Sequence, residues 1–185
     1  MSNRSRILVV YAHPISGRSR SNQRLLEAAT TVSNVTVDDL YETYPDFYID
    51  VEREQALLAQ ADLIVFQHPI QWYGMPSLLK EWMDVVLEYG WAYGREGTAL
   101  HGKDFWPVVT TGGTDDPDQD HAAHGHEFAV FQPPLEQVAK LCGLRWQMPF
   151  VLHGANLVDD AVIDAHAAQY RERLLAYPQW AHQGD

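Results

Sequence analysis

The sequence predicts an α/β chain, a doubly wound parallel sheet with helices on both faces. Apolar runs alternate with amphipathic stretches about five times along the chain. The first run, residues 7–11, lacks polar alternation, as expected for a strand buried on both faces. The 185 residues fit one domain, taken as 1–185, and are enough to bury a real core.

Residues 7–11 (ILVVY) are the first strand, and helical spacing follows over 22–32. A weaker second strand spans 35–40, then a helix 51–60, then the buried third strand 63–67 (LIVFQ). Residues 76–89 form a strongly amphipathic helix with Pro76 in its first turn. The fourth strand is 104–110, although Pro107 weakens its early part. A helix over 128–142 is closed by Gly143, a fifth strand runs over 147–153, and the last helix covers 159–177. Five strands favour the order 2-1-3-4-5, which puts ligands beyond the carboxyl ends of strands 1, 3 and 4.

With 13 basic and 25 acidic residues the net charge is −12. There is no basic stripe, so no nucleic-acid partner is expected, and an anionic membrane surface would repel the chain. The apolar run after the basic start is too short for a signal peptide, and no run spans a bilayer. Cys142 is the only cysteine, so no internal disulfide can form, which suits a cytoplasmic protein.

Three loops carry the chemistry. After strand 1, residues 13–22 offer His13, Ser16, Ser19, Ser21, Asn22, the guanidiniums of Arg18 and Arg20, and the free N–H groups of a helix start. Such a set suits a phosphate. It is neither a Walker A loop nor G-x-G-x-x-G, and Ser19 or Ser21 can equally be a plain N-cap. After strand 3, His68-Pro69-Ile70-Gln71-Trp72-Tyr73-Gly74 places two aromatics where a flat ring would stack, or where core and interface would use them. After strand 4, Thr110-Thr111-Gly112-Gly113 lets backbone approach a ligand closely. Residues 114–127 are dense in carboxylates and histidines. His121, His124 and His126 match no metal-ligand spacing, so no metal is expected, and a solvated loop is the simpler reading. Taken together the loops imply a phosphate-bearing planar ligand.

The ordered motifs resemble the NAD(P)H:quinone oxidoreductases of the flavodoxin-like fold, the DT-diaphorase group. They are Ala12-His13-Pro14 with Ser19 and Asn22 downstream, the run from His68 to Pro76 followed by Leu-Leu-Lys-Glu-Trp-Met-Asp, then Gly90-Trp-Ala-Tyr-Gly and Thr-Thr-Gly-Gly. Tyr44-Pro-Asp-Phe-Tyr-Ile-Asp50 and residues 97–103 make the ancillary flavoproteins of glutathione-gated potassium-efflux systems the nearest group. The resemblance implies FMN (FAD occurs in related enzymes), NAD(P)H as donor and a quinone-type acceptor. It also implies a homodimer and a potassium-efflux antiporter as partner on the inner face of the membrane. By position it implies that His13 and Ser19, Arg20, Ser21 and Asn22 meet the phosphate. Pro69, Ile70, Gln71, Trp72, Tyr73, Thr110, Thr111, Gly112 and Gly113 would meet the ring. His124 falls at the position of a histidine that assists the reduced flavin, while the companion tyrosine falls on or near Asp118. Two alternatives stay open: mainly a regulatory subunit of a transporter, or an electron carrier of flavodoxin type.

Overall fold

A computed structural model describes residues 5–113 and 128–181. The parallel sheet has the order β2-β1-β3-β4-β5, as predicted, and a sixth strand pairs with β4 beside β5. The strands are β1 (Ile7–Tyr11), β2 (Val35–Asp39), β3 (Leu63–Pro69), β4 (Asp104–Thr110), β5 (Arg145–Trp146) and β6 (Phe150–Leu152). The helices are α1 (Arg20–Thr30), α2 (Leu40–Thr43), α3 (Val51–Gln60), α4 (Ser77–Val86), α5 (Pro133–Leu141) and α6 (Asp160–Ala176).

Side chains alternate across a strand, so each strand feeds two cores. Ile7, Val9 and Tyr11 pack with Leu25 and Ala29 of α1 and with Tyr170 and Leu174 of α6. Leu8 and Val10 pack on the other side with Leu58, Leu79, Trp82, Leu135 and Ala139. This is why β1 reads as an unbroken apolar run.

Local chemistry sets the helix ends. Ser19, Asp39, Asp50 and Asp159 each accept an N–H from the first turn of the helix that follows. The one-turn helix α2 was not expected, and its Asp39 cap explains why β2 stops one residue early. Gly143 ends α5 at φ +68°, with Leu144 N–H on Ala139 O (2.9 Å) and Gly143 N–H on Lys140 O (3.2 Å). The expected helix over 128–142 is shorter. Residues Phe128–Phe131 form a 3-10 turn, and the helix restarts at Pro133, whose ring suits a first helical position.

The expected fifth strand is broken into β5 and β6, and Pro107 accounts for the break. Along β4 the backbone of Asp104 bonds toward β3 and that of Phe105 toward the outer edge. The Pro107 nitrogen therefore also faces the outer edge, where it has no hydrogen to give. The edge strand bulges out at that level, and the Trp106 indole takes up the carbonyl of Met148 at 3.1 Å.

Two buried carboxylates lie away from the loops of interest. Asp104 accepts from Arg145 Nε (2.9 Å), Arg145 Nη2 (3.0 Å), Gln147 (3.0 Å) and the Tyr177 hydroxyl (2.7 Å). Glu54 accepts from Tyr44, Arg53 and the Trp82 indole (2.9 Å), while Arg53 also reaches Asp38 at 2.8 Å.

Candidate functional site

The first three loops converge at the carboxyl ends of β1, β3 and β4. The Ser19 hydroxyl caps α1 by accepting from the N–H of Asn22 at 3.2 Å and also accepts from its side-chain amide at 3.1 Å. That same amide donates to Thr110 Oγ1 at 2.8 Å. One buried side chain thus ties the start of α1 to the turn after β4. Gln67 adds a third tie, its amide reaching the Asn22 carbonyl at 3.0 Å. Ile70 N–H donates to Thr110 O at 2.8 Å, joining the third-strand loop to the fourth.

The first loop is braced by the Tyr11 hydroxyl against Ser16 Oγ (3.0 Å). Burial pushes that phenol up to about 12, so it stays protonated. His13 accepts the N–H of Ile15 at its Nδ1 (3.1 Å), which leaves Nε2 to carry the proton of the neutral ring. Burial lowers the His13 pKa, favouring that neutral form. Ser21 is buried beside Asn22 at the start of the helix. The guanidinium of Arg20 is paired at the start of α6. It binds Asp160 at 2.9 Å and the carbonyl of Val158 at 3.0 Å. Only the backbone N–H of Arg20 stays at the helix start.

Residues 71–74 form a two-residue hairpin turn closed by Gln71 N–H on Gly74 O (2.8 Å) and Gly74 N–H on Gln71 O (3.0 Å). Trp72 and Tyr73 both have positive φ, 48° and 65°. Such a turn needs left-handed backbone at both central positions, which Asn-Gly supplies without strain. Bulky residues there cost about 1–3 kcal/mol each. The result is a Trp72 ring that is 96% exposed. Replacing the pair with Trp72→Asn and Tyr73→Gly is expected to raise stability by about 1–2 kcal/mol in urea unfolding. Unchanged or lower stability would refute the strain.

Behind the hairpin lies a mostly apolar cleft of about 110 Å³, lined by Ile70, Tyr73, Met75, Val109, Phe128 and Phe131 among others. His68 forms part of its wall, its Nδ1 against the Pro69 carbonyl at 2.9 Å, and burial lowers its pKa to about 4. Three buried acceptors at this end of the sheet, Asn22 Oδ1, Gln67 Oε1 and His68 Nε2, have no partner among the described residues. Asp38 Oδ2, His166 Nε2 and the Tyr170 hydroxyl are likewise without a partner among the described residues, so the three acceptors here are half of the set.

The sequence reading missed Gln67, His68 and His153, which all stand at this end of the sheet. His153 follows β6, the outer neighbour of β4, so the strand order itself pointed to it. His124 and Asp118 lie outside the described residues. Among the described residues no cluster of ligating side chains suits a metal ion, and no helix is long and apolar enough to cross a membrane.

A doubly wound parallel sheet of order 2-1-3-4-5, with three loops converging at the ends of β1, β3 and β4, defines a flavodoxin-like architecture. The chain belongs to the flavodoxin-like fold family, matched over residues 5–174. It is 50% identical over 178 residues to the glutathione-regulated potassium-efflux system ancillary protein KefF of Salmonella typhi, covering 95% of this chain and 99% of that protein. Among solved structures it is similar to general stress protein 14 of Treponema denticola in complex with FMN. There the TM-score is 0.84 and the identity 34%, over 92% of this chain and 98% of that one. It is also similar to an NADPH-quinone reductase from P.pentosaceus, with TM-score 0.80 and 30% identity over 91% of this chain and 96% of that one.

Proposed function

We propose that this protein is a flavin-dependent NAD(P)H oxidoreductase that passes two electrons to quinone-type acceptors. We propose also that it acts as an ancillary activator of a potassium-efflux antiporter. The observation that carries the first reading is the Asn22 bridge, which joins a phosphate-type helix start to a glycine turn facing an aromatic hairpin. An FMN-bound relative and a quinone reductase of the same fold support it.

In this reading His13, Ser19, Ser21, Asn22 and the Arg20 N–H hold the phosphate of FMN. Pro69 through Tyr73 and Thr110 through Gly113 hold its ring. When bound, the flavin supplies hydride acceptance from a nicotinamide and transfer to an acceptor. The protein's share is to orient. Thr110 and Thr111 fix the turn, Gly112 would leave room for the ring, and backbone N–H groups of the two turns would stabilise negative charge on it. His124 steadies that charge or moves a proton. His124→Ala is expected to lower turnover about 100-fold with flavin still bound. Full turnover in that variant removes His124 from the mechanism.

Anaerobic addition of NADPH to flavin-loaded protein tests the enzyme reading, and the expected result is bleaching of the visible flavin band. A flavin that dithionite reduces but NADPH does not would sink it. The likeness to KefF favours the second role, in which a homodimer sits on the cytoplasmic face of the membrane through its partner. Co-purification with a potassium–proton antiporter is expected. Gating that persists in a flavin-binding variant would make regulation the main role and catalysis secondary.

A further inference from the structure

The turn at residues 110–113 is bolted to the segment after β6. Thr111 N–H donates to Leu152 O (3.0 Å), Gly154 N–H to Gly113 O (2.7 Å) and Ala155 N–H to Thr111 O (2.9 Å). Two further contacts involve side chains. Thr111 Oγ1 lies 2.8 Å from Gly113 O and 3.1 Å from His153 Nδ1. The carbonyl can only accept, so the single hydroxyl hydrogen of Thr111 must go to Gly113 O. Oγ1 then presents a lone pair to His153, and Nδ1 must carry a hydrogen. The reverse order would set two lone pairs against each other at 2.8 Å. The His153 ring stands edge-on against Phe128, centroids 5.5 Å apart. Among the described residues, Gly112 has only Asn156 Nδ2 within 4 Å of the place its missing Cβ would take, at 4.0 Å.

We propose that His153 is a positioning residue for the 110–113 turn. Its Nδ1–H donates to Thr111, Thr111 donates to Gly113 O, and this ordered chain sets the peptide planes that meet the ligand. The proposal rests on the reading of that turn as a flavin contact. His153 acts through Thr111 and need not touch the ligand.

The tautomer is readable on the full chain without flavin, by nitrogen-15 NMR of the imidazole. A neutral ring protonated at Nδ1 is expected, and an Nε2–H ring overturns the proposal. Substitution separates positioning from packing. An Asn amide nitrogen stands where Nδ1 stood, one bond beyond Cγ, whereas a Gln amide reaches one bond further. His153→Asn is therefore expected to bind FMN within about 3-fold of the parent. His153→Gln is expected to bind about 10-fold more weakly, the loss of one hydrogen bond. Thr111→Val should show a similar loss, and adding His153→Gln to it should change little, because both act in one chain. Full additivity, or equal losses for Asn and Gln, overturns the proposal. If the parent takes up no flavin, the oxidoreductase reading fails instead. The tautomer, and the coupling of the two substitutions in thermal stability, then still decide the role of His153.

Discussion

Trp82→Ala is expected to lose about 4 kcal/mol of folding stability, a large part of the roughly 5–15 kcal/mol that a domain of this size has. Trp82 is fully buried and packs edge-on against Phe66 with centroids 5.6 Å apart. Truncation opens a cavity between α4 and β3. It also takes the indole donor from Glu54, a fully buried carboxyl. Trp82→Phe separates the two effects by keeping most of the volume and removing only the N–H. Its loss should be about 1–2 kcal/mol and should depend on pH.

The sign follows from Glu54. Burial, together with the nearby Asp38, raises its pKa from 4.5 to about 7. A raised carboxyl binds more protons in the folded state, so its contribution is full below 4.5 and is lost as pH rises through about 7. The indole bond favours the charged form, so removing it raises the pKa further. Trp82→Phe should therefore be more harmful at about pH 8 than at about pH 5 in urea unfolding. The same loss at both pH values would mean that Glu54 does not titrate in this window.

Asn22→Leu is the second large effect, this time on binding. Asn22 is 1% exposed, and its amide makes the Ser19 and Thr110 hydrogen bonds together. Leu fills nearly the same space but offers no donor. Losing two hydrogen bonds of about 1–1.5 kcal/mol each corresponds to roughly 100-fold weaker FMN binding. Asn22→Asp sharpens the test by placing a carboxylate at the phosphate end of the site. It should be worse than Leu toward FMN, yet no worse toward riboflavin, which lacks the phosphate. Quenching of flavin fluorescence gives both affinities, and thermal unfolding reports whether the variants remain folded. Unchanged FMN binding in Asn22→Leu would show that the bridge does not organise the site.

These cases mark what the sequence made legible. β1 and β3 read as strands because both their faces are buried, so all of β1 and residues 63–66 of β3 are apolar and the signal is local. Ser19 read as a cap because it acts on an N–H three residues away. The Asn22 amide bridges 88 positions to Thr110, and no periodicity carries such a partner. Arg20 was grouped with the phosphate donors, and its pairing with Asp160, on a helix that only the folded chain brings near, was not legible. Trp72 and Tyr73 were recognised as flat surfaces. Their left-handed backbone was hidden, because neither residue type favours it; the paired Gln71–Gly74 hydrogen bonds that close the turn hold it.

The break opposite Pro107 also bears on how this protein behaves in a crowded cell. A sheet with an open margin invites another chain to add itself as one more strand. Here the outer margin consists of β5 and β6, two and three residues long, with a bulge between them. Neither piece is long enough to template a stable pairing. A single imino acid in β4 thus blunts the far side of the sheet against edge-to-edge strand addition, although it lies one strand in from that side.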